Sequence, residues 1–174
     1  MVRMGKASRR WIAPISTETV EVEWQLRTLG PSVNIWAEMI AFALAFVLAF
    51  LSGLHIYWAF GGRWGWGVAI PQINKRAAFS PSRFATVIVA FGLATSALVP
   101  LVRTGTLSIP APFWLSQWSA GVLSLVFCVR AVGDFRLVGF FKRVRGTPFA
   151  MWDTRLFSPL CLLLAAGFAR VATL

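Results

Sequence analysis

Acidic side chains are nearly missing from this sequence: six Asp and Glu stand against 17 Lys and Arg, and charge of either sign makes up 13% of 174 residues. Soluble domains carry about 25% charged residues, so this scarcity excludes an ordinary soluble globule. Histidine occurs once, at His55, and cysteine twice, at Cys128 and Cys161. Both cysteines fall inside apolar runs, with no CxxC and no Cys/His cluster. That excludes a disulfide framework and a zinc site, and leaves them as small apolar side chains. No GxSxG, HExxH or GxxxxGK[ST] occurs, and neither a metal nor a cofactor is expected.

What is present is apolar: 57% hydrophobic residues, 15 Phe and 9 Trp, with a mean hydropathy of +0.70. The solvent such a chain requires is lipid. Four runs reach the roughly 20 residues that cross a hydrocarbon core, at about 35–60, 81–102, 112–134 and 154–173. They predict an all-α, polytopic membrane protein built as a four-transmembrane-helix bundle. The second run opens at "SPSRF", where Ser80 caps, Pro81 takes the first helical position, and Pro100 kinks the far end. Trp114 and Trp118, four apart, sit as an interfacial aromatic belt at the start of the third. Pro159 lies in the first turns of the fourth, and Arg170 snorkels near its end.

Between the third and fourth runs lies "RLVGFFKRVRG", residues 136–146. At 100° per residue Leu137, Phe140, Phe141 and Val144 share one side, Arg136, Lys142 and Arg143 the other, with Arg145 at the edge. This pattern predicts a short amphipathic helix lying in the interface on anionic lipid, the alternative being a solvated loop, given its two glycines. Residues 1–34 read differently from the rest. "TVEVEWQL" alternates like a strand with nothing to pair, which predicts a mobile or loosely docked tail, or a start mis-set ahead of Met39.

Counting bases orients the chain. Connections 61–83 and 135–156 hold Arg63, Lys75, Arg76, Arg83, Arg136, Lys142, Arg143, Arg145 and Arg155, whereas only Arg27, Arg103 and Arg170 lie near the other side. The positive-inside bias places both connections in the cytoplasm and both termini outside. The basic excess then serves orientation and anionic headgroups rather than nucleic acid. His55, Trp58, Arg130 and Asp134 fall at the cytoplasmic ends of their helices, and Asn74, Asp153 and Arg155 in the cytoplasmic connections, so the polar functionality gathers on one face.

Arg130 and Asp134 stand four apart, the spacing of a pair along one helix face, which would lock helix ends, hold an anion or relay a proton. His55 reads as a hydrogen-bonded histidine at the membrane boundary, or as an acid/base group working with Asp134 or Asp153. "LHIYWAFGGRWGWG", residues 54–67, is not GxGxxG and follows no strand. Gly61 and Gly62 end a helix there, and Trp58, Trp64 and Trp66 anchor the turn at headgroup depth.

Two stretches together carry a resemblance. "LHIYWAFGGRWGWGVAIP" contributes His55, Tyr57, Trp58, Gly61, Gly62, Trp64, Gly65 and Pro71. "RAVGDFRLVGFFKRVRGTPFAMWDTRLFSPLCLLLA" contributes Arg130, Gly133, Asp134, Phe135, Gly139, Asp153, Thr154, Pro159 and Leu160. Over roughly residues 40–170 the chain resembles a bacterial family of small integral membrane proteins, the domain of unknown function numbered 3995. The resemblance implies a four-helix membrane protein with no assigned activity, substrate or cofactor; the long stretch before the first span departs from the family pattern. The favoured expectation is a non-catalytic accessory component that associates with lipid or another membrane protein. A membrane enzyme or cofactor-binding protein using His55, Arg130, Asp134 or Asp153 is the alternative, and a small transporter or channel a third.

Overall fold

The computed structural model describes residues 17–73, 76–110 and 112–174. In chain order they form α1 (Thr17–Ala59), α2 (Trp66–Ala69), the two-stranded hairpin β1 (Gln72–Ile73) and β2 (Arg76–Ala77), α3 (Arg83–Arg103), α4 (Phe113–Val132), α5 (Pro148–Trp152), a π-helical turn (Asp153–Phe157) and α6 (Ser158–Ala172). Of the tail expected over residues 1–34, the first sixteen lie outside the described residues. From Thr17 the backbone is helical, so the alternation of residues 19–26 is not expressed as a strand. Residues 35–174 form a compact unit of their own.

Among the described residues four stretches are long and apolar enough to span a membrane: Ile35–Ala59, Arg83–Arg103, Trp114–Val132 and Pro148–Ala172. At 1.5 Å per residue even the shortest, 19 residues, covers about 28 Å. The chain is a multi-pass membrane protein. Three spans fall close to their expected bounds. The fourth starts six residues earlier than expected, at Pro148, because Thr147 accepts from Ala150 N (3.1 Å) as a cap and Pro148 takes the first helical position. The charges of Asp153 and Arg155 conceal this start in the sequence. At α3 the cap is Ser82, not Ser80: its side chain accepts from Ala85 N at 3.1 Å.

The expected amphipathic helix over 136–146 is absent; residues 133–147 form bends and turns. Gly133, Gly139 and Gly146 stand at φ 92°, 89° and 81°, and Phe135 at 59°, values from the left-handed region that break helical repetition. The fold class stands without this element.

Leu44 and Leu48 of α1, Ala97 of α3, Ala120 of α4, and Leu164, Phe168 and Val171 of α6 make one core cluster. Phe127 stacks on Phe168 with centroids 5.8 Å apart. Lipid supplies little drive to bury apolar surface, so close approach and interhelical hydrogen bonds hold the helices. Small residues accordingly fill the contacts: Ala41, Ala90, Ala97, Ala120 and Ala165 are buried. A Cβ at Gly167 would stand 2.8 Å from Leu44 Cδ2. Ser52 Oγ donates to the Ala90 carbonyl (2.7 Å), tying α1 to α3, and Ser124 Oγ to the Ala165 carbonyl (2.8 Å), tying α4 to α6. Phe42, Phe46 and Phe50, four apart, turn outward. At one end of the bundle α2 packs on α5, so the α1–α3 and α4–α6 connections meet on one face.

Phe168→Ala is expected to lower stability by about 3–5 kcal/mol, read as the unfolding midpoint in detergent. Phe46→Ala, at a side chain 74% exposed, is expected to leave that midpoint nearly unchanged.

Candidate functional site

The site is built where α4 ends. Gly133 N closes the last turn on the Val129 carbonyl (2.8 Å), and its positive φ turns the chain away. Asp134 therefore leaves the face of α4 and caps the next loop. Its Oδ1 accepts from the backbone N–H groups of Arg136 (2.9 Å), Leu137 (2.7 Å) and Val138 (2.9 Å). The loop returns to its start: Asp134 N donates to the Val138 carbonyl and Phe140 N to the Ala131 carbonyl. Gly133 and Gly139 cross at this point. A Cβ on either would run into the backbone of the other strand of the loop, at the Val138 or Val132 carbonyl, so both positions need glycine for space as well as for φ.

Gly139 N then donates to Asp153 Oδ2 at 2.8 Å. Asp153 opens the π turn, closed by Ser158 N to the Asp153 carbonyl, and is fully buried. Arg130 Nη2 of α4 lies 3.0 Å from Oδ1, and Lys142 Nζ lies 3.0 Å from Oδ2. Lys142, 3% exposed, directs its ammonium also at the Gly139 carbonyl (2.8 Å) and Thr154 Oγ1 (2.7 Å). All three of its donors are matched. One carboxylate thus joins α4, the loop and the start of the fourth span, between two cations.

This corrects two expectations. Arg130 pairs with Asp153, 23 residues on, rather than with Asp134, because α4 stops before Asp134. Lys142 faces the interior rather than lipid headgroups, because the non-helical loop folds it under Gly139; Arg136, Arg143 and Arg145 remain exposed.

For Asp134, partial burial favours the neutral acid, but the donors from Val138, Leu137 and Arg136 together prevail and hold its carboxyl below the ordinary 3.8. A depressed pKa contributes stability at pH values above it, lost as pH falls through it.

The other motif organises the end of α1. Trp58 Nε1 donates to the Trp64 carbonyl (2.9 Å), and Trp64 N to the Tyr57 hydroxyl (3.4 Å). Gly62 N donates to the Tyr57 carbonyl (2.9 Å), and any Cβ at Gly62 would strike the Tyr57 ring. Gly61 and Gly65 take φ 93° and 75°. His55 Nδ1 lies 2.7 Å from the Leu51 carbonyl; a carbonyl only accepts, so this nitrogen carries the proton. Its ring meets Trp58 edge to face at 5.1 Å, and Trp58 meets Trp66 at 6.0 Å. Trp64 is exposed and Trp58 and Trp66 are half-buried; Trp114 and Trp118 are exposed at the opposite end of the bundle, on the first turns of α4.

Of the four candidate residues, Arg130 and Asp153 are thus joined, whereas Asp134 and His55 serve separate local structures. Among the described residues no three His, Cys, Asp or Glu side chains are grouped to hold a metal. Lys142, Gly139 and Thr154 are partners that spacing did not find.

Asp153→Asn or Lys142→Met is expected to cost about 3–5 kcal/mol by leaving a buried charge unmatched, checked by thermal unfolding in detergent. For Asp134 the expected signature is in pH: the stability gap between wild type and Asp134→Asn narrows as pH falls below 3.8.

No curated protein and no solved structure matches the chain. A family model described as "Protein of unknown function (DUF3995)" matches residues 31–168, a span that contains the Tyr57–Trp66 turn and the whole Arg130–Lys142–Asp153 cluster. The chain belongs to that family.

Proposed function

We propose that this protein is a non-catalytic component of a bacterial inner membrane, acting by association with anionic lipid or with another membrane protein. The observation that carries the reading is the commitment of its acids. Asp153 has both oxygens bonded to Arg130, Lys142 and Gly139, and Asp134 is occupied by three backbone donors. A general acid or base must exchange its proton with a substrate, and a carboxylate sealed between two cations is poorly placed to do so. The cluster instead fixes the α4–α6 connection as a rigid platform.

Orientation is part of the proposal. With the platform and the α1–α3 connection facing the cytoplasm and both termini outside, the larger share of bases lies inside. Arg136, Arg143 and Arg145 on the one connection, and Arg63, Arg76 and Arg83 on the other, are exposed for contact with headgroups or an acidic partner surface.

Native mass spectrometry of the full chain, extracted gently from its own membrane, is expected to show bound anionic lipid or a second protein chain. A tightly held small polar molecule or metal, lost in His55→Gln, would instead establish the cofactor-binding alternative.

A further inference from the structure

We infer that the cleft between the end of α1 and the start of α3 is a binding site for one anionic phospholipid of the surrounding bilayer. Two cavities adjoin there and share Trp58, Trp66, Pro81 and Thr86 as common wall. The outer one, about 490 Å³, is bordered by Arg63 and Arg83 and floored by Gly61, Gly62 and Gly67. The inner one, about 320 Å³, is lined mainly by apolar groups, among them Ile70, Phe79, Ala85 and Val89. The cleft is therefore amphipathic along its length, cationic at the mouth and apolar within.

Charge complementarity selects the occupant. No acidic residue lines either cavity, and among the described residues neither Arg63 nor Arg83 is ion-paired. Both remain available to a phosphate, which arginine grips through its planar fork of donors. Depth agrees with a lipid. Arg83 is the first residue of α3 and Val89 lies six residues further in, about 9 Å at the helical rise. A phosphate held at Arg83 thus places its glycerol and first methylenes beside Phe79, Ala85 and Val89. The glycines at the mouth carry no side chain to fill the headgroup position, and the tryptophans supply the amphipathic walls common at that level of a bilayer.

The inference rests on the lipid-associating reading above and adds to it a location and a chemical class. The test is native mass spectrometry of the full chain in detergent, titrated with phosphatidylglycerol or phosphatidylcholine. One phosphatidylglycerol is expected to bind in preference to phosphatidylcholine, and about thirtyfold more weakly to Arg63→Gln/Arg83→Gln, counting about 1 kcal/mol per arginine at the surface. Val89→Trp, which fills the inner cavity and leaves the charges, is also expected to weaken binding; unfolding midpoints confirm that each variant is folded. Arg143→Gln/Arg145→Gln is expected to bind as wild type does. If that control loses the lipid while the cleft variants keep it, the cleft assignment falls and the lipid-associating function stands. Binding of neither lipid by any form overturns both. Displacement of the lipid by glycerol 3-phosphate at equal concentration would overturn the lipid in favour of a soluble phosphate ester.

Discussion

The folded arrangement of the α4–α6 half depends on a single buried carboxylate. Asp153 is held by a cation from α4, a cation from the loop and a backbone N–H of the same loop. A lone charge at that depth is among the most costly things a protein can bury, and only a matched set of partners makes it tolerable. The matching carries geometric information. Two helices ending at the same level can slide and rotate against each other at small cost in lipid, where apolar contacts on either side are nearly equivalent. A carboxylate that must meet Arg130, Lys142 and Gly139 together admits one register. The crossing of Gly133 over Gly139 and the capping by Asp134 give the loop the shape that brings Lys142 beneath it.

The α1–α3 half solves a related problem by other means. Its connection carries no acid, and the turn is held by indole and phenol groups bonding to backbone, with Gly62 admitting the Tyr57 ring. One connection is consequently held by a buried charge cluster, with Arg136, Arg143 and Arg145 exposed around it. The other is held by aromatic packing, and among the described residues its Arg63 and Arg83 make no ion pair. The contact of α2 with α5 brings the two together on one face of the bundle.

The four spans were legible in composition because lipid tolerates so few polar side chains that their absence marks the segments directly. The 136–146 stretch misled for a physical reason. Its apolar and basic residues repeat with helical spacing, but periodicity reports only which residues would share a face if the backbone were helical, and Gly139 and Gly146 at positive φ, with Gly133 and Phe135 just ahead, prevent that. The real partner of Arg130 was hidden similarly: an i,i+4 spacing counts only while the helix continues, and α4 ends at Val132, two residues before Asp134. A usable signal did exist. After residue 34 the sequence has only three acids, Glu38, Asp134 and Asp153. An acid set amid so many bases in a membrane chain is a natural hub, and that scarcity singles out Asp153. The cleft at Arg63 and Arg83 had no sequence signature, since it exists only once α1 and α3 lie side by side.

The 23-residue separation of Arg130 from Asp153 also bears on how the protein is made. A guanidinium at the end of α4 leaves the ribosome well before the carboxylate that neutralises it, and Lys142 precedes that carboxylate too. During synthesis the third span carries an unmatched cation at the membrane boundary until the fourth has begun to emerge. Arg130 can be matched only once the third and fourth spans stand together as a hairpin.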